Sequence, residues 1–462
     1  MKSKNRVTIL NMLSTLILAG ISIFTAPLFS RLLGTEGYGI LSTYTVWMNA
    51  MTIIACLNTC ATLVHARVRF PEEEQERYQS SVMTLSLTML VICSVLILLF
   101  AGPVSSLLKM SYTLMAWLVV QSFGAFCMNF LSTKLQYELK AGWNMLSSLV
   151  IVGLSLSISL VLVFSMPQEQ RYIGRILGNV IAYGLLGTAA CVFVLYRGRT
   201  FFRWEYWKFC LRLVFPLIFM DLSYLILGHT DQVMVREYLG DSPAGIYGLA
   251  YTFGGVIFTI FTALNKSWVP FFIDSMKEGD RERTTSQAKN FMELYTVLSM
   301  GFVLLSREVF HIFADRSFWD GTMLIPLFAV GYYFNFLCTF PVNYEQYHLN
   351  VKMVSAVTIV SSLINVLLNN MLIRRLGLPG AVCATMISQL FQFAVHQVYV
   401  SLFLGKGDYP FGMGVLWKHM FAFAAAVLIC LLLPDGWLVR WPAGAVIGIW
   451  ELLRIRKRRV LI

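Results

Sequence analysis

The sequence predicts an all-α protein that crosses a membrane many times, built as two six-helix lobes in parallel repeat around a central cavity, with two further helices at its C-terminus. Three observations carry this expectation. The 462 residues are 57% hydrophobic and only 13% charged, whereas a soluble domain is about a quarter charged. The apolar residues fall in blocks, such as 82–100 and 145–166, that hold no charge and can cross the roughly 30 Å hydrocarbon core as helices. The chain also repeats itself. Leu33-Gly34 and Gly39-Ile40 recur as Leu239-Gly240 and Gly245-Ile246, with an offset of 206 at every position.

The first run, 8–30, follows a basic start (Lys2, Lys4, Arg6) and ends near Pro27 and Arg31. No small-x-small cleavage pattern follows it, so it reads as a retained helix rather than a signal. Spans are then expected at 39–65, 80–101, 112–134, 144–166, 172–196, 211–234, 244–268, 290–312, 322–345, 352–373, 378–403, 416–434 and 437–453. That makes 14 spans; the last two are the shortest, and 12 is the alternative count. With the N-terminus in the cytoplasm, most Lys and Arg fall in inside segments, densest at 197–212, 266–289 and the C-terminal RIRKRRV. That distribution orients the chain and places both termini in the cytoplasm. It also accounts for the net charge of +12 as a topology signal and an attraction to anionic membrane lipids, so no nucleic-acid partner is expected.

The repeat extends further. At the same offset Glu76-Arg77 matches Glu282-Arg283, both expected in long cytoplasmic loops, and Ile173-Gly174 matches Pro379-Gly380 at the start of a sixth span. QYEL at 136–139 matches QYHL at 346–349 with an offset of 210, so a small insertion lies between. Six spans repeat as six spans. Because six is even, both halves start on the same side, which is a parallel repeat. The expected division is an N-terminal lobe at 1–200, a C-terminal lobe at 201–405 and a hairpin with a basic tail at 406–462, the lobes joined by a linker at 196–210.

Of nine cysteines, most lie in apolar runs, where Cys packs as a small hydrophobe. Cys56 and Cys60 are one helical turn apart without a His or Cys to complete a metal set. No P-loop, Ser-His-Asp set, paired carboxylates or zinc motif stands out. A transporter rather than an enzyme is expected, with no cofactor.

The stretches PLFSRLLGTEGYGILSTY (27–44), HTDQVMVREYLGDSPAGIYGLAY (229–251), ALNKSWVPFF (263–272) and LINVLLNNMLIRRLGLPGAVCATMISQ (363–389) resemble the polysaccharide transporter family. That family includes the Wzx-type oligosaccharide flippases and shares a superfamily with multidrug and toxin extruders and lipid II flippases. The resemblance covers about residues 5–403; the last two spans carry no such motif. It implies two six-helix lobes that work by alternating access in the cytoplasmic membrane of a bacterium. It also implies a substrate of sugars on an undecaprenyl-type pyrophosphate lipid, moved from the inner to the outer leaflet for surface polysaccharide assembly. A polysaccharide polymerase and glycosyltransferases are then candidate partners. A multidrug or metabolite cation antiporter of the same superfamily is the first alternative, and a scaffold for glycosyltransferases the second.

Such a substrate sets the chemistry. A hydroxyl without a partner costs about 4–8 kcal/mol in hydrocarbon, so the sugars need a polar cavity. Arg31, Arg175 and Arg236 are candidates for the pyrophosphate, because a planar guanidinium donates two parallel hydrogen bonds; snorkelling to lipid headgroups is the competing reading. All three sit towards the outer face, so loading from inside would call on other groups, such as Lys134 or His65. Asn129, Asn335, Asn365 and Gln389 are candidates for sugar hydroxyls, with Asn369 and Gln392 nearby; bonding between helices competes. Asp221 and Asp231 lie within the seventh span, where an acid usually faces a cavity or partner. Each is a candidate to bind H+ or Na+ and couple it to transport. His396 is expected at the inner interface. Pro27 and Pro216 are candidate hinges.

Overall fold

The computed structural model describes residues 2–405, 409–411 and 413–458. Every regular element among them is helical: α1 (Lys2–Cys56), α2 (Leu63–Arg69), α3 (Glu72–Leu99), α4 (Ala101–Leu108), α5 (Tyr112–Tyr137), α6 (Ala141–Ser165), α7 (Arg171–Gly198), α8 (Trp204–Leu239), α9 (Asp241–Glu278), α10 (Arg281–Phe313), α11 (Leu324–Tyr347), α12 (Val351–Leu376), α13 (Leu378–Tyr399), α14 (Met413–Leu432) and α15 (Trp437–Arg458). Among the described residues, 11 helices are long and apolar enough to span a membrane, and Leu416–Leu432 is a shorter apolar helix. The chain forms two compact units, one of residues 1–18 and 40–225, the other of 19–39 and 226–462.

Several local expectations are corrected. The first two expected spans are arms of one helix, α1, bent at Gly34 (φ 70°, ψ 179°) rather than at Pro27. The second arm does not run on to 65. It stops at Cys56, and Leu57 (φ 56°) and Asn58 (φ 42°) both turn left-handed before a short 3₁₀ turn at Thr59–Thr62. Glu76-Arg77 and Glu282-Arg283 are not in loops: they lie in the opening turns of α3 and α10. Acidic Glu72, Glu73 and Glu74 suit the start of α3, and the Asp280 carboxylate caps α10 by accepting from Arg283 N at 2.9 Å. The linker shrinks to 199–203, because α7 and α8 extend into it.

The repeat survives in detail. Gly240 (φ 96°, ψ −176°) breaks the chain between α8 and α9 as Gly34 breaks α1. That region of backbone space is essentially open only to glycine. Leu139 (φ 58°) and Leu349 (φ 57°), at the 210 offset, end α5 and α11 with the same left-handed residue. Lys140 N bonds Leu135 O as Asn350 N bonds Glu345 O, at 2.9 and 2.8 Å. Gly174 of α7 lies against Leu162 and Val163 of α6, and Gly380 of α13 lies against Leu372 and Ile373 of α12.

The core of the first unit gathers Tyr78, Phe126, Phe130, Tyr206 and the buried thiols Cys56, Cys60, Cys127, Cys191 and Cys210. The second unit is built on aromatics: Trp268 stacks on Phe291 and Tyr333 on Phe423 of α14. The α15 helix is pinned to α10 by fully buried Arg440, which donates to Leu304 O, Pro434 O and the Glu308 carboxylate. Arg307 pairs with Asp435 at 2.6 Å.

Candidate functional site

In the second unit, α8 carries Asp231 into a fully packed polar cluster with α9, α12 and α13. Its carboxylate is 1% exposed. Oδ2 accepts from the Tyr247 hydroxyl at 2.5 Å and from the Thr385 hydroxyl at 3.2 Å, and Oδ1 accepts from Gln232 N. Asn365 Nδ2 donates to Thr385 Oγ1 at 3.3 Å, and Asn369 Nδ2 donates to Asn365 Oδ1 at 2.9 Å. Asn365 and Asn369 lie one turn apart on α12 and have no solvent exposure, and Asn369 Oδ1 is buried without a hydrogen-bond partner among the described residues. The structure thus sets Asn365 and its neighbour Asn369, both amides expected to serve sugars, beside Asp231, and adds Thr385 and Tyr247. Asn335 Nδ2 donates to Gln389 Oε1 at 3.3 Å, so two further candidates meet each other. A small cavity of about 30 Å³ reaches Thr385 and Gln389 and is walled by Tyr251, Phe328 and Tyr332. That is room for a single water-sized group.

In the first unit, the break at Leu57–Asn58 faces Asp221. Asn58 Nδ2 donates to Asp221 Oδ2 at 2.7 Å, and Cys60 Sγ donates to Asn58 Oδ1 at 3.0 Å. Asn129 reaches the same place through Cys60 Sγ at 3.6 Å. Asn129 and Asp221 are therefore brought together by Asn58, which the sequence did not single out, and by Cys60, which it offered only as a packing thiol. The available signal was Asn58 inside an apolar run. No cation among the described residues pairs with Asp221.

The three arginines are held by different partners. Arg31 is exposed, and its Nη2 donates to Ile312 O at 2.9 Å. Beside it, Asp315 titrates below the usual carboxylate range because the Ser317 amide and hydroxyl donate to it, with Arg31 adding a smaller pull. Arg175 donates to Ser159 Oγ at 2.9 Å and Ser155 Oγ at 3.5 Å on α6. Arg236, 10% exposed, pairs with Asp241 at 2.5 Å, and its Nη1 is buried without a partner among the described residues. Lys134 is buried between Gln79 and Glu138. His396, expected at an interface, is fully buried against Glu345. Cys56 and Cys60 are free thiols, and among the described residues no group of three His, Cys, Asp or Glu could hold a metal.

The repeat-related glycines decide how the first segment of the second unit packs. A methyl group on Gly39 would lie 2.0 Å from Asp241 O and 2.8 Å from Gly245 N. One on Gly245 would lie 1.9 Å from Thr35 O and 3.0 Å from Gly39 N. Thr35 and Asp241 are themselves 206 apart, so the contact is reciprocal, as across a two-fold axis. Ser242 Oγ donates to Thr35 Oγ1 at 2.8 Å beside it.

A family profile described as "Polysaccharide biosynthesis protein" matches residues 5–276. The chain belongs to this polysaccharide biosynthesis family. Among relatives, protein 1 of the Lsg locus of Haemophilus influenzae is 22% identical over 356 residues, 74% of this chain and 84% of that protein. A lipid II flippase MurJ in an inward closed conformation superposes with a TM-score of 0.70 at 14% identity, covering 96% of this chain and all of that one. A multidrug resistance MATE transporter in an inward-facing conformation superposes at 0.64 and 15% identity, covering 91% and 98%. This family member therefore has the MurJ and MATE transporter fold. It is a multi-pass membrane protein of a polysaccharide biosynthesis family.

Proposed function

We propose that the protein flips a lipid-linked oligosaccharide, sugars on an undecaprenyl-type pyrophosphate, from the inner to the outer leaflet of the cytoplasmic membrane. The observation that carries this reading is the union of a polysaccharide biosynthesis family match with the fold of a lipid flippase over nearly the whole chain. In this reading the lobes 1–200 and 201–405 alternate in access, and the termini are cytoplasmic.

Each part of the substrate has chemistry to meet. Arg236 offers a buried guanidinium nitrogen with no partner among the described residues, together with Asp241, which an anion would have to displace or share. Arg31 offers an exposed guanidinium that also holds Ile312 O, and Arg175 one bonded to Ser159. Asn129, Asn335 and Gln389 are amides able to trade their present partners for sugar hydroxyls. The Asp231 cluster is the coupling site. Its donors are oxygens only, from Asp231, Thr385, Asn365 and Asn369, which suits a proton or a hard cation such as Na+. The unpartnered Asn369 oxygen supports that fit. Asp221, bonded by a neutral amide and no cation, is the second candidate for coupling.

The test uses cells deleted for the protein, in which undecaprenyl-linked oligosaccharides are extracted and measured by mass spectrometry. Accumulation of a defined repeat unit, cleared by the wild type but not by Asp231→Asn, is expected. No accumulation, with new sensitivity to cationic drugs, would instead identify a cation antiporter.

A further inference from the structure

One pair of ionisable side chains in the second unit has no part in the substrate or coupling groups above. Glu345 lies in the last turn of α11 and His396 in the last turn of α13. Neither is exposed at all, and His396 Nδ1 is 2.7 Å from Glu345 Oε1. Glu345 Oε2 and His396 Nε2 are buried without a hydrogen-bond partner among the described residues. The titratable groups facing the pair are Cys338 and Tyr344 on α11 and Tyr409 from the connection to α14. No Lys or Arg among the described residues pairs with either member. Tyr409 and Phe411 hold Gln397, the residue after His396: Tyr409 donates to Gln397 Oε1 at 3.0 Å, and Gln397 Nε2 donates to Phe411 O at 3.1 Å.

The repeat supplies an internal control. The 210 offset that relates Leu139 to Leu349 puts Leu135 where Glu345 stands. The 206 offset that relates Gly174 to Gly380 puts Ala190 where His396 stands. Leu135 and Ala190 are buried too. The architecture therefore fills this place with apolar residues, and packing alone calls for neither acid nor base. Orphaned polar atoms in an apolar site destabilise it, and well-packed apolar residues often replace a buried ion pair without loss. A widened π-helical turn, Val400–Leu404, also follows directly after α13; such turns recur at functional sites.

We propose that Glu345 and His396 form a proton-binding site that takes up and releases one proton. With that proton bound, the pair is net neutral, either as carboxylate with imidazolium or as carboxylic acid with imidazole. Release leaves a single negative charge and needs water or a countercharge to enter, so the proton exchanges only when the hold of Tyr409 and Phe411 on Gln397 loosens. A role in powering transport rests on the function proposed above; proton binding itself does not.

Two readouts on the full-length protein test this. The double variant Glu345→Leu/His396→Ala installs the residues of the first repeat. The wild type should show a one-proton step when thermal stability is followed against pH, and the double variant and Glu345→Gln should lack it. In proteoliposomes loaded with lipid-linked oligosaccharide from the deletion cells, the wild-type rate should change by up to about tenfold per pH unit across the step, and the double-variant rate should not. A folded double variant with the wild-type step and rate profile overturns the proposal. A double variant that cannot fold overturns it too, because the pair is then structural. Loss of the stability step without oligosaccharide transport by any form, wild type included, upholds the proton site and removes the flippase reading.

Discussion

Replacing Gly39 by Ala tests the reciprocal crossing. The added methyl carbon would lie 2.0 Å from Asp241 O, whereas a relaxed carbon–oxygen contact needs about 3.3 Å. The segments around Gly39 and Gly245 must then part by more than about 1 Å. The obstructing atoms are backbone and cannot rotate away. Overpacking costs about 1–3 kcal/mol, and a backbone clash belongs at the upper end. At about 1.4 kcal/mol per decade, roughly 3 kcal/mol shifts the balance between a crossed and an uncrossed state by about a hundredfold. The assay replaces the nine native cysteines, introduces Thr35→Cys beside Ser242, and follows labelling by a membrane-impermeant maleimide. Labelling should speed up by as much as two orders of magnitude with Gly39→Ala, and equally with Gly245→Ala, because the contact is reciprocal. The double variant should add little, since either change already opens the contact. Unchanged labelling with unchanged thermal stability, or fully additive effects, would refute the reasoning.

Gly34→Ala and Gly240→Ala should behave differently: nothing lies within 4 Å of an added methyl at either position, so the whole cost, about 1–3 kcal/mol, is backbone strain. Their effects should be additive, which a thermal-unfolding cycle checks. At the break in the second span, Asn58→Leu should destabilise the protein, because it puts a branched apolar residue at a left-handed position and frees Asp221, and the unfolding midpoint in detergent checks it. Glu138, just past α5, titrates below the usual carboxylate value: burial pushes it up, but its bonds to Lys140 and Lys134, at 2.7 and 3.0 Å, outweigh that. Its contribution is therefore complete above the unfolded value of 4.5 and is lost as pH falls through the depressed folded value. Glu138→Gln should flatten that acid limb when unfolding is followed from neutral pH down to about 3.

The all-helical membrane class, the repeat and its two offsets were legible in the sequence, because long charge-free runs and paired Leu-Gly words are local signals. Asp221 and Asp231 were legible as well, since an acid in an apolar run stands out whatever surrounds it. Which side chains meet was not legible. Only the tertiary structure set Asn365 and Asn369 beside Asp231, joined Asn129 to Asp221 through Asn58 and Cys60, and buried His396 against Glu345, 51 residues away. Such pairings depend on the rotation and depth of each helix against its neighbours. A helix apolar on every side carries no periodic stripe to announce its inward face, so the sequence determined that the spans exist, and packing alone decided what they hold between them.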